Sequence, residues 1–206
     1  MPRSAKVGRP LRSSREQVAE AALSLFVAQG FERTTLDQIA AAAHVSRRTV
    51  LRYFGSKNDI VWGTFEEHLH RLAKQLASAP PQQPLIEVVR QAVVSFNDYG
   101  AAAQGQLRDR MTLITTVPAL QGHAMLRYAQ WCDVIAAFAA GRLEITADHH
   151  VCQALANAVL GVAMATYRHW IAHPEDDLLT KLDEGLALLC EGFAEPALRR
   201  AVGGER

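Results

Sequence analysis

The stretch Thr35-Leu36-Asp37-Gln38-Ile39-Ala40-Ala41-Ala42-Ala43-His44-Val45-Ser46-Arg47-Arg48-Thr49-Val50-Leu51-Arg52-Tyr53-Phe54-Gly55-Ser56-Lys57 reads as two short helices joined by a tight turn. Thr34 or Thr35 caps the first, which holds Leu36, Ile39 and Ala40. Ala43-His44-Val45 breaks it, Ser46 caps the second, and Gly55-Ser56 ends that one. Ile39, Ala40, Val45, Val50 and Phe54 are spaced to form one small core, and Ala40 and Ala43 are small enough for the helices to cross closely. So short a pair buries little on its own. It serves where the second helix must enter a DNA major groove while the first braces it.

The outer face of that second helix presents Ser46, Arg47, Arg48, Thr49, Leu51, Arg52 and Tyr53. Ser46 and the first backbone N–H groups suit a phosphate. Arg47 and Arg48 suit either guanine O6/N7 or phosphates, and Leu51 suits a thymine methyl. Tyr53 and Lys57 suit phosphate contacts, and Thr34 and Thr35, at the start of the bracing helix, are expected at the DNA as well. A run of charge is often no more than a solvated helix face. Here, however, no acid interrupts the run between Asp37 and Asp59.

This stretch closely resembles the DNA-binding signature of the TetR family, and the preceding Ala21–Phe31 segment, with Gly30-Phe31, matches it too. Two positions depart from the commonest pattern. His44 stands where Gly is usual in the turn, which asks a non-glycine residue for left-handed backbone. Arg48 stands where Gly is frequent and adds a possible base contact. The resemblance implies a ligand-responsive, homodimeric transcriptional regulator, most often a repressor. Its N-terminal helical domain would bind a double-stranded DNA operator, and its larger helical domain would bind a small molecule and dimerise.

The rest of the chain fits an all-α protein with two parts. Residues 1–60 carry ten Lys and Arg against five Asp and Glu, although the whole chain of 206 residues has a net charge of only +1. A basic N-terminal quarter on a neutral protein marks a polyanion-binding end. The sequence predicts a basic flexible arm over residues 1–13, with Gly8-Arg9-Pro10 like a minor-groove hook. It predicts a helix-turn-helix domain over 14–57 and a ligand-binding and dimerisation domain over 58–206. The first helix would be capped by Ser13 or Ser14 and end at Gly30. A long fourth helix, Lys57 to Ala79, would join the two domains and act as the lever between them. Further helices are expected over Leu85–Ala103, over Leu107–Thr116, from Pro118 to Gly141, from a Thr146 cap to Ala172, and from Pro174 onward.

In the larger domain the aromatic and methionine residues Trp62, Phe65, Phe96, Met111, Tyr128, Trp131, Met164 and Tyr167 suit an apolar ligand, with Asn97, Arg110, Asn157 and Tyr167 to orient it. The alternative for any one of them is plain core. Ala154, Ala158, Gly161 and Ala165, with Leu182, Leu186 and Leu189, are expected to form a four-helix dimer interface or else intramolecular core. The segment from Leu107 to Phe193, with Val45-Ser46-Arg47-Arg48-Thr49, faintly resembles mycofactocin-system regulators within the same family. That likeness implies long-chain acyl-CoA ligands.

Other classes are disfavoured. His169 and His173 share a helical face but lack a Cys pair or carboxylate at metal-ligand spacing, so no metal or cofactor is expected. No nucleophile triad, Walker loop or dinucleotide fingerprint is present, which argues against an enzyme. Cys132, Cys152 and Cys190 are too few for a disulfide framework, and no membrane-spanning run or secretory signal appears, so a cytoplasmic protein is expected. Two alternatives remain at this stage: a ligand-independent architectural DNA binder, and a helical carrier or enzyme with a vestigial DNA motif.

Overall fold

The computed structural model describes residues 11–192 together with Glu195, Pro196 and Arg199. The expected arm therefore lies mostly outside the described residues. Among the described residues there are ten α-helices, one 3-10 turn and no strand. The chain forms two compact units, residues 1–64 and 65–206.

In the first unit, α1 (Leu11–Gln29) lays Val18, Ala22 and Phe26 against the core and stops at Gly30, whose φ is +90°. Its start at Leu11 precedes the expected serine cap. Next, α2 (Leu36–Ala42) opens with a capping box in which Thr35 and Gln38 satisfy each other's backbone N–H groups. Thr35, not Thr34, is thus the cap. The turn to α3 (Arg47–Phe54) places His44 at φ +53°, the left-handed backbone that this position demands. Ser46 then caps α3. Ile39, Ala40, Val50 and Phe54 are buried as the spacing required, while Val45 is half-buried.

The expected lever helix is two helices. Ser56 caps α4 (Lys57–Trp62), which ends at Gly63 with φ +53°, and α5 (Phe65–Ala77) begins the second unit. The break has a local cause. Gly63 takes a backbone geometry open to few residues other than glycine, and its carbonyl accepts a hydrogen bond from Arg15 Nη2 at 3.4 Å. The division thus falls after Thr64, because α4 packs on α1 and α3.

The second unit continues with α6 (Leu85–Phe96), α7 (Gln104–Thr116), α8 (Pro118–Leu143), α9 (His150–Ala172) and α10 (Leu178–Gly192). Pro118 occupies the first position of α8, where its missing N–H costs nothing. Several helix ends differ from the sequence expectation, among them the start of α7, which takes in Gly105. The helix expected through Ala103 stops at Phe96, with Asn97 as its cap, and Ala101–Ala103 form the 3-10 turn. Gly141 lies inside α8, which ends with Glu144 in left-handed backbone. His149, not Thr146, caps α9 with its ring nitrogen. Asp177 opens α10 by accepting from the Thr180 N–H at 2.8 Å, which leaves Pro174 outside the helix.

The core of this unit joins Leu72 and Leu76 of α5, Val89 and Val93 of α6, Ile135 and Ala139 of α8, and Leu155 and Val159 of α9. Alanines at the α8–α9 contact, among them Ala136 and Ala156, let the two backbones approach closely. The same economy operates between α9 and α10, where a Cβ added at Gly185 would stand 2.9 Å from Val162 Cγ1 and 3.5 Å from Thr166 Oγ1. By contrast, Gly122 in α8 faces open space. Gly185→Val is therefore expected to destabilise the protein by about 1–3 kcal/mol through overpacking. Gly122→Ala should be neutral or gain up to about 1 kcal/mol of helix propensity. Urea unfolding of the two variants checks the contrast, and equal effects would mean that the α9–α10 approach is not tight.

Candidate DNA interface and ligand-binding region

The cationic face of α3 is held from behind. Val50 and Phe54 are buried, so the face that carries Arg47, Arg48, Leu51 and Arg52 points outward. Arg15 places its guanidinium 5.0 Å from the Phe54 ring centroid and so joins α1, the end of α3 and Gly63. Arg52 lies 5.2 Å from the half-buried Tyr53 ring. Ser46 and Thr49 share a hydroxyl hydrogen bond of 2.9 Å, and Ser46 Oγ accepts from the Thr49 N–H at 3.1 Å. Arg47 forms an exposed ion pair with Asp37 at 3.3 Å, whereas Arg48 has no ion pair among the described residues.

Two residues expected at this surface do other work. Thr34 is 1% exposed, and its hydroxyl donates to the Gly30 carbonyl at 2.9 Å. It ties off the end of α1 and has no surface to offer DNA. The Lys57 ammonium donates to the carbonyls of Phe31 at 2.9 Å and Thr34 at 3.2 Å and lies 4.3 Å from the Phe31 ring centroid. Two of its three N–H groups are thereby engaged, and it clamps α4 to the segment after α1. Sequence reasoning missed Arg15, because a lone arginine in a first helix carries no local signal of its distant partners.

In the second unit the expected ligand residues divide. Phe65, Phe96 and Trp131 form an edge-on chain with centroid separations of 6.3 and 6.2 Å. Asn97 is buried and donates to the Val93 carbonyl at 2.8 Å, while the Tyr167 hydroxyl donates to Asn97 Oδ1. Met111 is buried, and Tyr128 and Met164 are half-buried. Burial pushes the Tyr128 phenol up to about 12, and Tyr128 lies within electrostatic reach of Tyr167. Arg110 is half-buried, with its Nε wholly enclosed and without a hydrogen-bond partner.

Asn157 does not join this group, and Trp62 falls within the other unit. Asn157 is exposed on α9 and turns its amide to the Gln153 carbonyl at 2.8 Å, since it falls on the helix face turned away from the core. Trp62 ends α4 and belongs to the first unit. Sequence reasoning missed His68 and Tyr99, whose rings stack at 4.4 Å with His68 also 6.0 Å from Phe96. Burial, and behind it the positive charges of Arg71 and Arg110, bring the His68 imidazole from its ordinary 6.5 down to about 4. Three-residue spacing from Phe65 was the one available signal for His68, because it puts both rings on one face of α5.

The expected dimer residues also separate. Leu182 and Leu186 are buried within the chain, and Leu189 packs against the core, because α10 must cover α6 and α9. Ala154, Gly161 and Ala165 are exposed on α9, and Leu188 is 76% exposed on α10. His169 bonds Asp176 at 2.6 Å and stacks on His173 at 4.1 Å. Among the described residues no group of three or more His, Cys, Asp or Glu is placed to hold a metal, and no helix is long and apolar enough to cross a membrane.

Comparison with known proteins converges on one family. Residues 18–61 match the model for bacterial regulatory proteins of the tetR family, and residues 83–194 match the MftR C-terminal domain. Over 171 residues the chain is 37% identical to a Mycobacterium tuberculosis protein assigned as the mycofactocin biosynthesis transcriptional regulator MftR, covering 83% of this chain and 86% of that one. It is 28% identical over 183 residues to the transcriptional regulator TcmR of Streptomyces glaucescens, covering 82% and 78%. Among solved structures it superposes on SmeT, the repressor of a Stenotrophomonas maltophilia multidrug efflux pump, with TM-score 0.63, 19% identity and coverage of 89% and 92%. It superposes on the Thermus thermophilus repressor FadR in complex with lauroyl-CoA with TM-score 0.55, 24% identity and coverage of 86% and 94%. With its capped, left-handed turn and outward-facing arginines in the first unit and an all-helical second unit, the chain belongs to the TetR family of transcriptional regulators, in the group with an MftR-type C-terminal domain.

Proposed function

We propose that this regulator is a homodimeric repressor that leaves a palindromic operator when a hydrophobic small molecule enters its second unit. The observation that carries the reading is the division of labour on α3. One face is locked into the core by Val50 and Phe54, and the other offers Arg47, Arg48 and Arg52 with Leu51 and no acid of its own. Arg47 and Arg48 lead into the groove, Leu51 meets a thymine methyl, and Thr35, Ser46, Thr49 and Tyr53 flank the backbone contacts. A two-fold operator needs two such helices about one DNA turn apart, which makes the dimer part of the reading. The exposed small residues of α9 and Leu188 of α10 are the surface we assign to it.

The polar and aromatic group of the second unit supports ligand binding there. The SmeT structure is also known with triclosan, and FadR with lauroyl-CoA, so in relatives this fold accommodates ligands with a large apolar part. Release requires only that the ligand favour a conformation whose two recognition helices are wrongly spaced. About 100-fold weaker DNA binding corresponds to about 2.7 kcal/mol of coupling. The Gly63–Thr64 joint, where α4 ends and α5 begins, takes the place of the single rigid lever that the sequence suggested.

The test is a duplex selected from a random library by the purified protein, followed by anisotropy titrations. Arg47→Ala should relax preference at a defined operator position and cost about 1–3 kcal/mol there; an unchanged preference would remove Arg47 from base reading. Lys57→Met should weaken all sequences alike while lowering the melting temperature and leaving the salt slope unchanged, since its ammonium holds Phe31 and Thr34. A slope reduced by about 0.9 per subunit with no loss of melting temperature would return Lys57 to phosphate binding. A panel of acyl-CoAs and other apolar molecules should include at least one that weakens operator binding. A wholly unresponsive complex would favour the architectural DNA binder.

A further inference from the structure

Arg110 is the unusual residue of the second unit. Its neighbours Leu107 and Met111 on α7 are buried, so the helix turns this face inward. The guanidinium Nε is enclosed without a partner, and no carboxylate among the described residues pairs with Arg110. Other arginines of this unit reach carboxylates: Arg90 reaches Glu87 and Asp183, Arg127 reaches Glu66, and Arg142, whose Nη1 is also enclosed without a partner, lies 3.7 Å from Glu195. Arg110 is half-buried, and an enclosed guanidinium nitrogen without a partner loses hydration with nothing in return.

The surroundings of Arg110 add positive charge and hydrogen-bond donors. Tyr99 and Tyr167 lie within its electrostatic reach, and Arg71 also acts on Tyr99 and on His68. The Tyr167 proton is committed to Asn97, but the Tyr99 hydroxyl makes no hydrogen bond to another described residue. Glu67 is the carboxylate whose charge reaches His68. Phe65, Phe96 and Trp131 supply an apolar wall through the His68–Phe96 contact.

We infer that the effector of this regulator is amphipathic and anionic: an apolar chain lies along Phe65, Phe96 and Trp131, and its carboxylate pairs with Arg110 and accepts a hydrogen bond from Tyr99. The inference rests on the second unit being the ligand-binding part, and it narrows the ligand class. A neutral hydrocarbon would leave Arg110 unpaired. A thioester would offer it only a weakly accepting carbonyl oxygen, because the charges of an acyl-CoA sit at the other end of the molecule. The guanidinium is planar and suits two-point pairing with a carboxylate.

The test is isothermal titration of the full chain at pH 7.5 with decanoate, 1-decanol and decanoyl-CoA, each below its aggregation limit. Decanoate is expected to bind at least tenfold more tightly than decanol, a difference of about 1.4 kcal/mol. Arg110→Gln should abolish that preference and Arg110→Lys should keep part of it, with thermal melting confirming that each variant is folded. The wild-type comparison of acid with alcohol stands even if a variant does not fold. Equal binding of acid and alcohol would overturn the carboxylate assignment while leaving ligand binding intact, as would binding of decanoyl-CoA that is tighter than that of decanoate and indifferent to Arg110. Failure of all three probes to bind would overturn both this assignment and the ligand-binding reading on which it stands.

Discussion

A helix of eight residues does not hold its shape in water, and everything this regulator does to DNA depends on α3 holding its shape. Its stability is borrowed. Val50 and Phe54 anchor it from below, Ser46 closes its first turn, and Arg15 reaches from α1 to lie over Phe54 while bonding the Gly63 carbonyl. Lys57 ties the start of α4 back to Phe31 and Thr34. Two cations of a strongly basic unit are thus spent on scaffolding. Among the described residues, the cations that α3 leaves exposed are Arg47, Arg48 and Arg52, the set we assign to nucleic acid.

This division also marks what could be read from the residues. Features set by neighbours in the chain were legible: the Ser46 cap, the left-handed backbone of His44, the Gly30 stop and the helix opening at Pro118 all follow from local chemistry. The family of the first unit was legible for the same reason, since its motif is contiguous. Features set by distant partners were not. Thr34 and Thr35 are adjacent and both can cap, and only the proximity of the Gly30 carbonyl turns one inward. Leu182 and Leu186 recur at helical spacing, but whether that stripe meets a second subunit or α6 and α9 is decided by packing.

Glycine illustrates the same point in both directions. Gly141 promised a helix end, yet α8 runs through it, because Ala139, Ala140 and Leu143 are buried on either side and packing outweighs the roughly 1 kcal/mol that glycine costs. Gly63 gave no such promise and does end a helix, because Arg15 holds its carbonyl and its backbone has left the helical region. A lever drawn as one rod is therefore two helices, the first closing the first unit and the second opening the next.

The second unit poses the opposite problem from the first. There the difficulty is keeping a short helix ordered, whereas here a well-packed core of alanine and leucine encloses groups that do not belong in one. Asn97 and Tyr167 satisfy each other, and the His68 ring stays neutral against Tyr99. Arg110 has no such resolution, and burial lowers its hold on its proton although a guanidinium keeps it throughout the physiological range. At this half-buried position the chain carries a guanidinium whose Nε is enclosed without a partner. A ligand that completes the pair gains in one conformation what it cannot gain in another, and that difference is the quantity that moves a two-state equilibrium. The polarity that makes position 110 a poor core residue is thus what would let a small molecule bias the spacing of two helices that it never touches.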